Sequence, residues 1–304
     1  MRCFSKNGFA FAATVLFATT QAHNALGDTV ADDSNKVPPA VSQRIDAIQR
    51  ELSNAKELPF WAGKYVEGDG LGTNVTLYVS PNTGVAFTNF GCLGLYGAEE
   101  GTVSSGSDQT LHLAFHETQP GPFDDFANDL LPVRWGERIY LLPRPRIYEF
   151  VLAVNRGFEQ LPRPGGGRFL NNKKAIYGVP ELPEPYRLAL RERAVEAKVL
   201  RVTTSSKKSL GKPMCQIGYE ITIDRGTSSG LSDGEMLAVV KPKSAFSDLR
   251  LEHVQNAEAT GSMSVLEDDC DRPEHVPTPA WTLSTYAFSE AGASNEKAAS
   301  HIVH

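Results

Sequence analysis

Gly68–Gly97 reads "GDGLGTNVTLYVSPNTGVAFTNFGCLGLYG". In its first half Val75, Leu77 and Val79 alternate with Thr76, Tyr78 and Ser80, the period of two of a half-buried strand. Ser80-Pro81-Asn82-Thr83-Gly84 supplies turn residues, with Gly84 placed to take a positive φ, and "GVAFTNF" returns as the partner strand. The same grammar recurs on both sides. "FWAGKYV" precedes the hairpin, and "EEGTVSS" and "TLHLAFH" follow it across short Gly, Asn, Asp and Ser linkers. Phe60 to His116 therefore predicts an antiparallel meander. The glycines of "GDGLG" are turn or bulge glycines. They lack the third glycine of a dinucleotide fingerprint, and no helical pattern follows them.

Upstream, Val41, Ile45, Ile48 and Leu52 recur at spacings of four, three and four, one narrow apolar face of a helix. Such a face docks on the body of its own protein or on a partner. Downstream, "GERIYLLP" reads as a strand and "IYEFVLAVNR" as a short helix. From Val195 five further strand-like runs follow: "EAKVLRVTT", "MCQIGYEITID", "GEMLAVVKP", "LRLEHVQNA" and "ATGSMSVLE". The expected fold is mainly β with a few short helices: an antiparallel meander or barrel-like module, then a second small SH3-like β-barrel. In order, the segments are a signal peptide at 1–25, a flexible lead-in at 26–39, an amphipathic helix at 40–56 and the β-meander module at 57–160. A Pro/Gly-rich connector at 161–194, the small barrel module at 195–287 and a disordered tail at 288–304 complete the chain.

The run "GKYVEGDGLGTNVTLYVSPNTGVAFTNFGCLGLYGAEEGTV", followed by "LPVRWGERIYLLPRPRIYEFVLAVNRGFE", resembles a pattern in uncharacterised secreted bacterial proteins, from about Phe60 to Gly178. The resemblance implies a lipocalin-like meander at most and carries no activity and no catalytic residue. The layout of "DRGTSSGLSDGEMLAVV" resembles small SH3-like barrels of bacterial envelope and flagellar-assembly proteins; it encodes turns rather than a site.

Arg2 and Lys6, the apolar run Phe9–Thr20 and the small residues after it read as a secretory signal peptide. The apolar run is shorter than the roughly 20 residues that span a bilayer, and no cysteine stands at the exit for a lipid. The expected location is periplasmic or extracellular, without a stable membrane anchor. Loss of residues 1–22 removes Arg2 and Lys6 and moves the formal charge from −6 to −8. An acidic surface argues against nucleic acid as a partner. Of the exported cysteines, Cys92, Cys215 and Cys270, the pair Cys215–Cys270 is the expected disulfide and Cys92 the remaining thiol.

Motifs for catalysis are weak throughout. Cys92 has no basic sequence neighbour to lower its pKa. His112 and His116 share one strand face but stand roughly 13 Å apart at strand spacing, too far to ligate one zinc ion directly. Asp124, Asp125, Asn128 and Asp129 form an acidic loop without the EF-hand spacing. Ser205 and Lys208 match S-x-x-K without its companion elements, in a stretch, "TTSSKKSLGKP", that reads as a loop. Arg144, Arg146, Arg163 and Arg168 gather near the junction of the modules, either as solvated charge or to hold an anion. No catalytic residue, metal ligand or cofactor is assigned. Trp61, Tyr65, Phe87, Phe90 and Tyr96 are the candidates to line a ligand cavity in the meander; core filling is the alternative. The leading expectation is an exported, non-enzymatic envelope protein acting through contacts with another envelope protein. A lipocalin-like binder of a small apolar ligand is the alternative, and a hydrolase with a dispersed site the second.

Overall fold

Alternating side chains and tight turns give the first sheet its strands: β1 (Gly63–Glu67), β2 (Asn74–Ser80), β3 (Gly84–Gly91), β4 (Gly94–Ser105), β5 (Leu111–Phe115), β6 (Asp129–Trp135) and β7 (Arg138–Pro143). The computed structural model describes residues 36–68, 72–116, 128–157, 169–171, 176–211, 213–242 and 247–288, with 169–171 as backbone alone. The segment read as a signal peptide, most of the stretch read as a lead-in, Asp124, Asp125, Arg163, Arg168 and all but the first residue of the stretch read as a tail lie outside these residues. Each strand pairs antiparallel with the next, and Gly84 takes φ 98° in the β2–β3 turn. A three-residue strand, β8 (Phe169–Asn171), pairs with β7 and meets β1 at Val66–Leu170, so the meander curls round into a barrel with a narrow seam. That strand falls inside the stretch read as connector; three residues flanked by glycines and lysines give no detectable alternation. Inside, Tyr65, Leu77, Val79, Val85, Leu111, Leu113, Leu130 and Leu141 form the core.

Helix α1 (Pro39–Asn54) starts with proline at its first position, where the missing N–H is not needed. It lies on its own barrel, with Val41 and Ile48 buried against Tyr78 and Ala86. Its polar side grips the barrel. The Glu51 carboxylate accepts from Ser80 Oγ at 2.9 Å, Asn82 N at 3.1 Å and Thr83 N at 2.8 Å. Arg44 reaches Glu100 at 2.7 Å, and Glu100 also meets the His116 ring at 2.7 Å. Burial raises both carboxyls, but for Glu51 the bonds from Thr83, Asn82 and Ser80 outweigh it. For Glu100 the His116 bond and the Arg44 charge do the same, and both acids sit below the ordinary glutamate value. A carboxyl with a depressed folded pKa contributes stability above its unfolded value and loses it as pH falls through the folded one. Acidification below about 4.5 is therefore expected to undock α1. Hydrogen exchange of residues 40–54 reads it. Glu51→Gln should raise that exchange roughly tenfold at neutral pH, the equivalent of one hydrogen bond to a charged group.

Helix α2 (Ile147–Asn155) follows a 3-10 turn at Arg144–Arg146. Eight of its nine residues are buried, from Ile147 and Tyr148 through Asn155. Ile147, Phe150, Val151 and Val154 pack on Leu131, Val133, Trp135, Tyr140 and Leu142 from the outer face of the first barrel, and Met236 and Phe288 join from beyond the connector.

The second sheet contains β9 (Glu196–Gly211), β10 (Met214–Ile223), β11 (Met236–Lys241), β12 (Asp248–Val254), β13 (Ala259–Glu267) and β14 (Thr282–Ser284). Its ring runs β10-β13-β12-β11-β14-β9 and closes through the β9–β10 hairpin. Ile217, Tyr219, Ile221, Leu237, Leu249, Leu251 and Val265 fill it. Cys215 and Cys270 form the disulfide, with Cα atoms 5.5 Å apart. Thr203–Gly211, read as a loop, is the outer half of β9. Those side chains are exposed, so they carry no alternation, and the backbone ladder to β10 holds the strand. Among the described residues no helix is long and apolar enough to cross a membrane.

Candidate functional site

Two places combine room with unsatisfied polarity. The first is the mouth of the meander barrel. On β3, Val85, Phe87 and Asn89 alternate inward, the same face as Leu77 and Val75 across the ladder. Asn89 is 1% exposed, and neither its amide nitrogen nor its amide oxygen has a hydrogen-bond partner. Leaving one such group buried and unpaired costs about 1–3 kcal/mol. Its partner across the β3–β4 ladder is Gly97. A Cβ at Gly97 would meet Phe87 Cε2 at 3.9 Å, an ordinary contact, so the position facing Asn89 has room for a methyl group among the described residues. By register Glu67 lies in the same row, Glu67–Val75–Asn89–Gly97, and Glu99 lies beside it opposite Phe87. Below this layer the barrel is packed. Eight strands enclose a space that side chains just fill or that holds one small ligand; here the lower layers follow the first solution and the mouth has the polarity of the second.

The five aromatic candidates divide. Tyr65 is fully buried and donates its hydroxyl to the Trp61 carbonyl at 2.7 Å, so it is core. Phe87 and Trp61 pack on that core while partly exposed, and Phe87 meets Phe115 edge to face at 5.2 Å. Phe90 and Tyr96 are each 39% exposed on the β3–β4 hairpin, and the Tyr96 ring lies over Gly91 rather than in the interior. Asn89 is the site residue that the sequence reading passed over. The available signal was a polar residue on the apolar face of "GVAFTNF".

The second place is a cleft of about 540 Å³ between the barrels. Tyr148 and Tyr186 form one wall, their rings 5.0 Å apart and edge to face. Gly234, at φ 81°, sits under the Tyr148 ring, and a Cβ there would come within 2.9 Å of Cε2. Burial raises the Tyr148 hydroxyl above its ordinary pKa; the Ser232 bond opposes this and the Glu235 charge adds to it. The phenol therefore stays protonated at neutral pH. Arg144 and Arg250 bring positive charge, and Asn128 and Asp129 face them. A hydrogen bond to Tyr186, then one to Asp108, raises the Arg144 pKa further.

The remaining candidates stay apart. His112 meets Asp129 at 2.7 Å and His116 meets Glu100, each ring with its own carboxylate on the exposed outer face. Ser205 and Lys208 lie exposed on β9. Cys92 is exposed and outside the disulfide. Among the described residues no three His, Cys, Asp or Glu side chains gather to hold a metal. In comparisons with family models, with curated proteins and with solved structures, nothing matched the chain.

Proposed function

We propose that the chain is an exported binding protein whose meander barrel takes a small, mainly apolar ligand with one hydrogen-bonding edge at Asn89. The observation that carries this reading is the buried, unpartnered Asn89 amide, which faces a glycine, Gly97, across the ladder. A ligand edge with one donor and one acceptor would satisfy both ends of the amide. Phe87, Phe115 and Val75 offer the apolar contact for the ligand body. Export is supported by the signal-like residues 9–20 and by the Cys215–Cys270 bond, which suits an oxidising compartment. The curl of the meander and the unpartnered Asn89 on its inward face support ligand binding over protein contacts.

The test is Asn89→Leu. In the ligand-free protein it should stabilise by about 1–3 kcal/mol, since it removes an unsatisfied amide and keeps the branched shape of the side chain. Native mass spectrometry of wild-type protein purified from its own host should show a bound small molecule that the variant lacks. If the variant is destabilised, or if wild type carries only water at this position, the reading fails.

A further inference from the structure

We propose that the cleft between the two barrels is a second binding site, for a small organic monocarboxylate held by Arg250 and walled by Tyr148 and Tyr186. Its volume, about 540 Å³, lies within the range of small-molecule sites, about 300–1,000 Å³. Its walls come from elements already fixed against each other. Arg156 of the turn after α2 pairs with Asp248 at 2.7 Å. Asn155, on α2, donates to the carbonyls of Ala189 at 3.0 Å and Thr285 at 3.2 Å. The cleft is thus preformed rather than assembled on binding.

The charge inventory selects the ligand. Arg144 is engaged by Asp108 at 2.8 Å, and Arg146 by Glu149 at 2.8 Å. Asp129 is engaged by His112 at 2.7 Å. Arg250 differs. Among the described residues no acid stands within ion-pair distance of it; Nη2 donates to the Pro145 carbonyl at 2.6 Å. That bond fixes the plane of the guanidinium and leaves its other N–H groups to the cleft. A guanidinium offers five N–H donors in a rigid fork that matches the two oxygens of a carboxylate. One unbalanced cation calls for one negative charge. Asp108 and Asp129 beside the site disfavour the second charge of a phosphate monoester. The edge-to-face tyrosines supply an apolar and aromatic surface for the body of the acid. Gly234 gives the Tyr148 ring its seat, since any side chain there would meet the ring.

The experiment titrates the intact protein with phenylacetate, its neutral isostere phenylacetamide and phenyl phosphate, by calorimetry. Phenylacetate should bind saturably at one site, the amide should not, and phenyl phosphate should bind more weakly than the acid. Arg250→Met should weaken phenylacetate at least about tenfold, the loss of a charge-assisted pair. Arg250→Lys, which keeps the charge without the fork, should fall between. Melting temperatures should stay unchanged, because Arg250 is partly exposed and its side chain holds one backbone contact. Absence of saturable binding overturns the proposal. So do equal binding of acid and amide, tighter binding of the phosphate, or an unaffected Arg250→Met. Asn89→Leu should leave this titration unaltered, so failure of the barrel reading is separable from failure here.

Discussion

Replacing Arg191 with methionine is expected to destabilise the protein by about 3–5 kcal/mol, the cost of leaving a buried charge without its partner. The side chains of Arg191 and Glu235 are 11% and 4% exposed. Arg191 Nη2 donates to both Glu235 oxygens, at 2.6 and 2.7 Å, and Nε adds a contact at 3.1 Å. The same Nη2 reaches the Gly230 carbonyl at 2.8 Å. Burial raises the Glu235 pKa despite the opposing Arg191 bond and charge. A raised folded pKa means that the native state holds the proton more tightly than the unfolded chain, so this group's contribution is lost as pH rises through the folded value. Without Arg191 the upward shift should grow, and the variant should recover part of its stability in mild acid. Urea unfolding at neutral and mildly acidic pH measures both effects. Arg191→Met combined with Glu235→Leu should regain most of the loss, because a buried ion pair replaced whole by apolar groups is often neutral. A single-variant loss below about 1 kcal/mol would show that this pair contributes no more than an exposed ion pair.

Removing the Cys215–Cys270 bond is the other change with a large expected effect. The two residues are 55 apart in sequence. Closing a loop of that size stabilises by about 4 kcal/mol in the chain-entropy model. Cys215 is fully buried at the start of β10, and the backbone around Cys270 is tied back by Cys270 N to Pro213 O at 3.0 Å. The bond therefore pins the end of the β10–β13 ladder, where Cys215 pairs with Glu267. Cys215→Ser with Cys270→Ser should lower the unfolding free energy by about 2–4 kcal/mol, and reduction of the wild type should match it. Equal denaturation midpoints with and without reductant would show that the ladder holds its own end.

Much of this architecture was legible because its strands face water on one side only. "NVTLYVS" and "MCQIGYEITI" alternate, and they became β2 and β10. The 4-3-4 stripe from Val41 to Leu52 became the buried face of α1. What escaped had no pattern to offer. β8 and β14 are three residues long, too short to show a period, and the outer half of β9 is exposed on both faces, so backbone pairing alone makes it a strand. The candidate sites were less legible still. Of the aromatics proposed to line a cavity, Phe87 is the one that borders Gly97, opposite Asn89. The inter-barrel cleft draws Tyr148, Tyr186, Gly234 and Arg250 from four separate segments. No local spacing relates residues that only the packed tertiary structure brings together.

The position of α2 sets a limit on how this chain can change. Its apolar surface is divided between neighbours on either flank, so neither half owns it. Excising one half as a stand-alone product would bare a greasy scar whichever side kept the helix. Recombination that swaps one half for a distant counterpart must therefore carry a matching seat for α2, and duplication or loss should act on the pair as a unit.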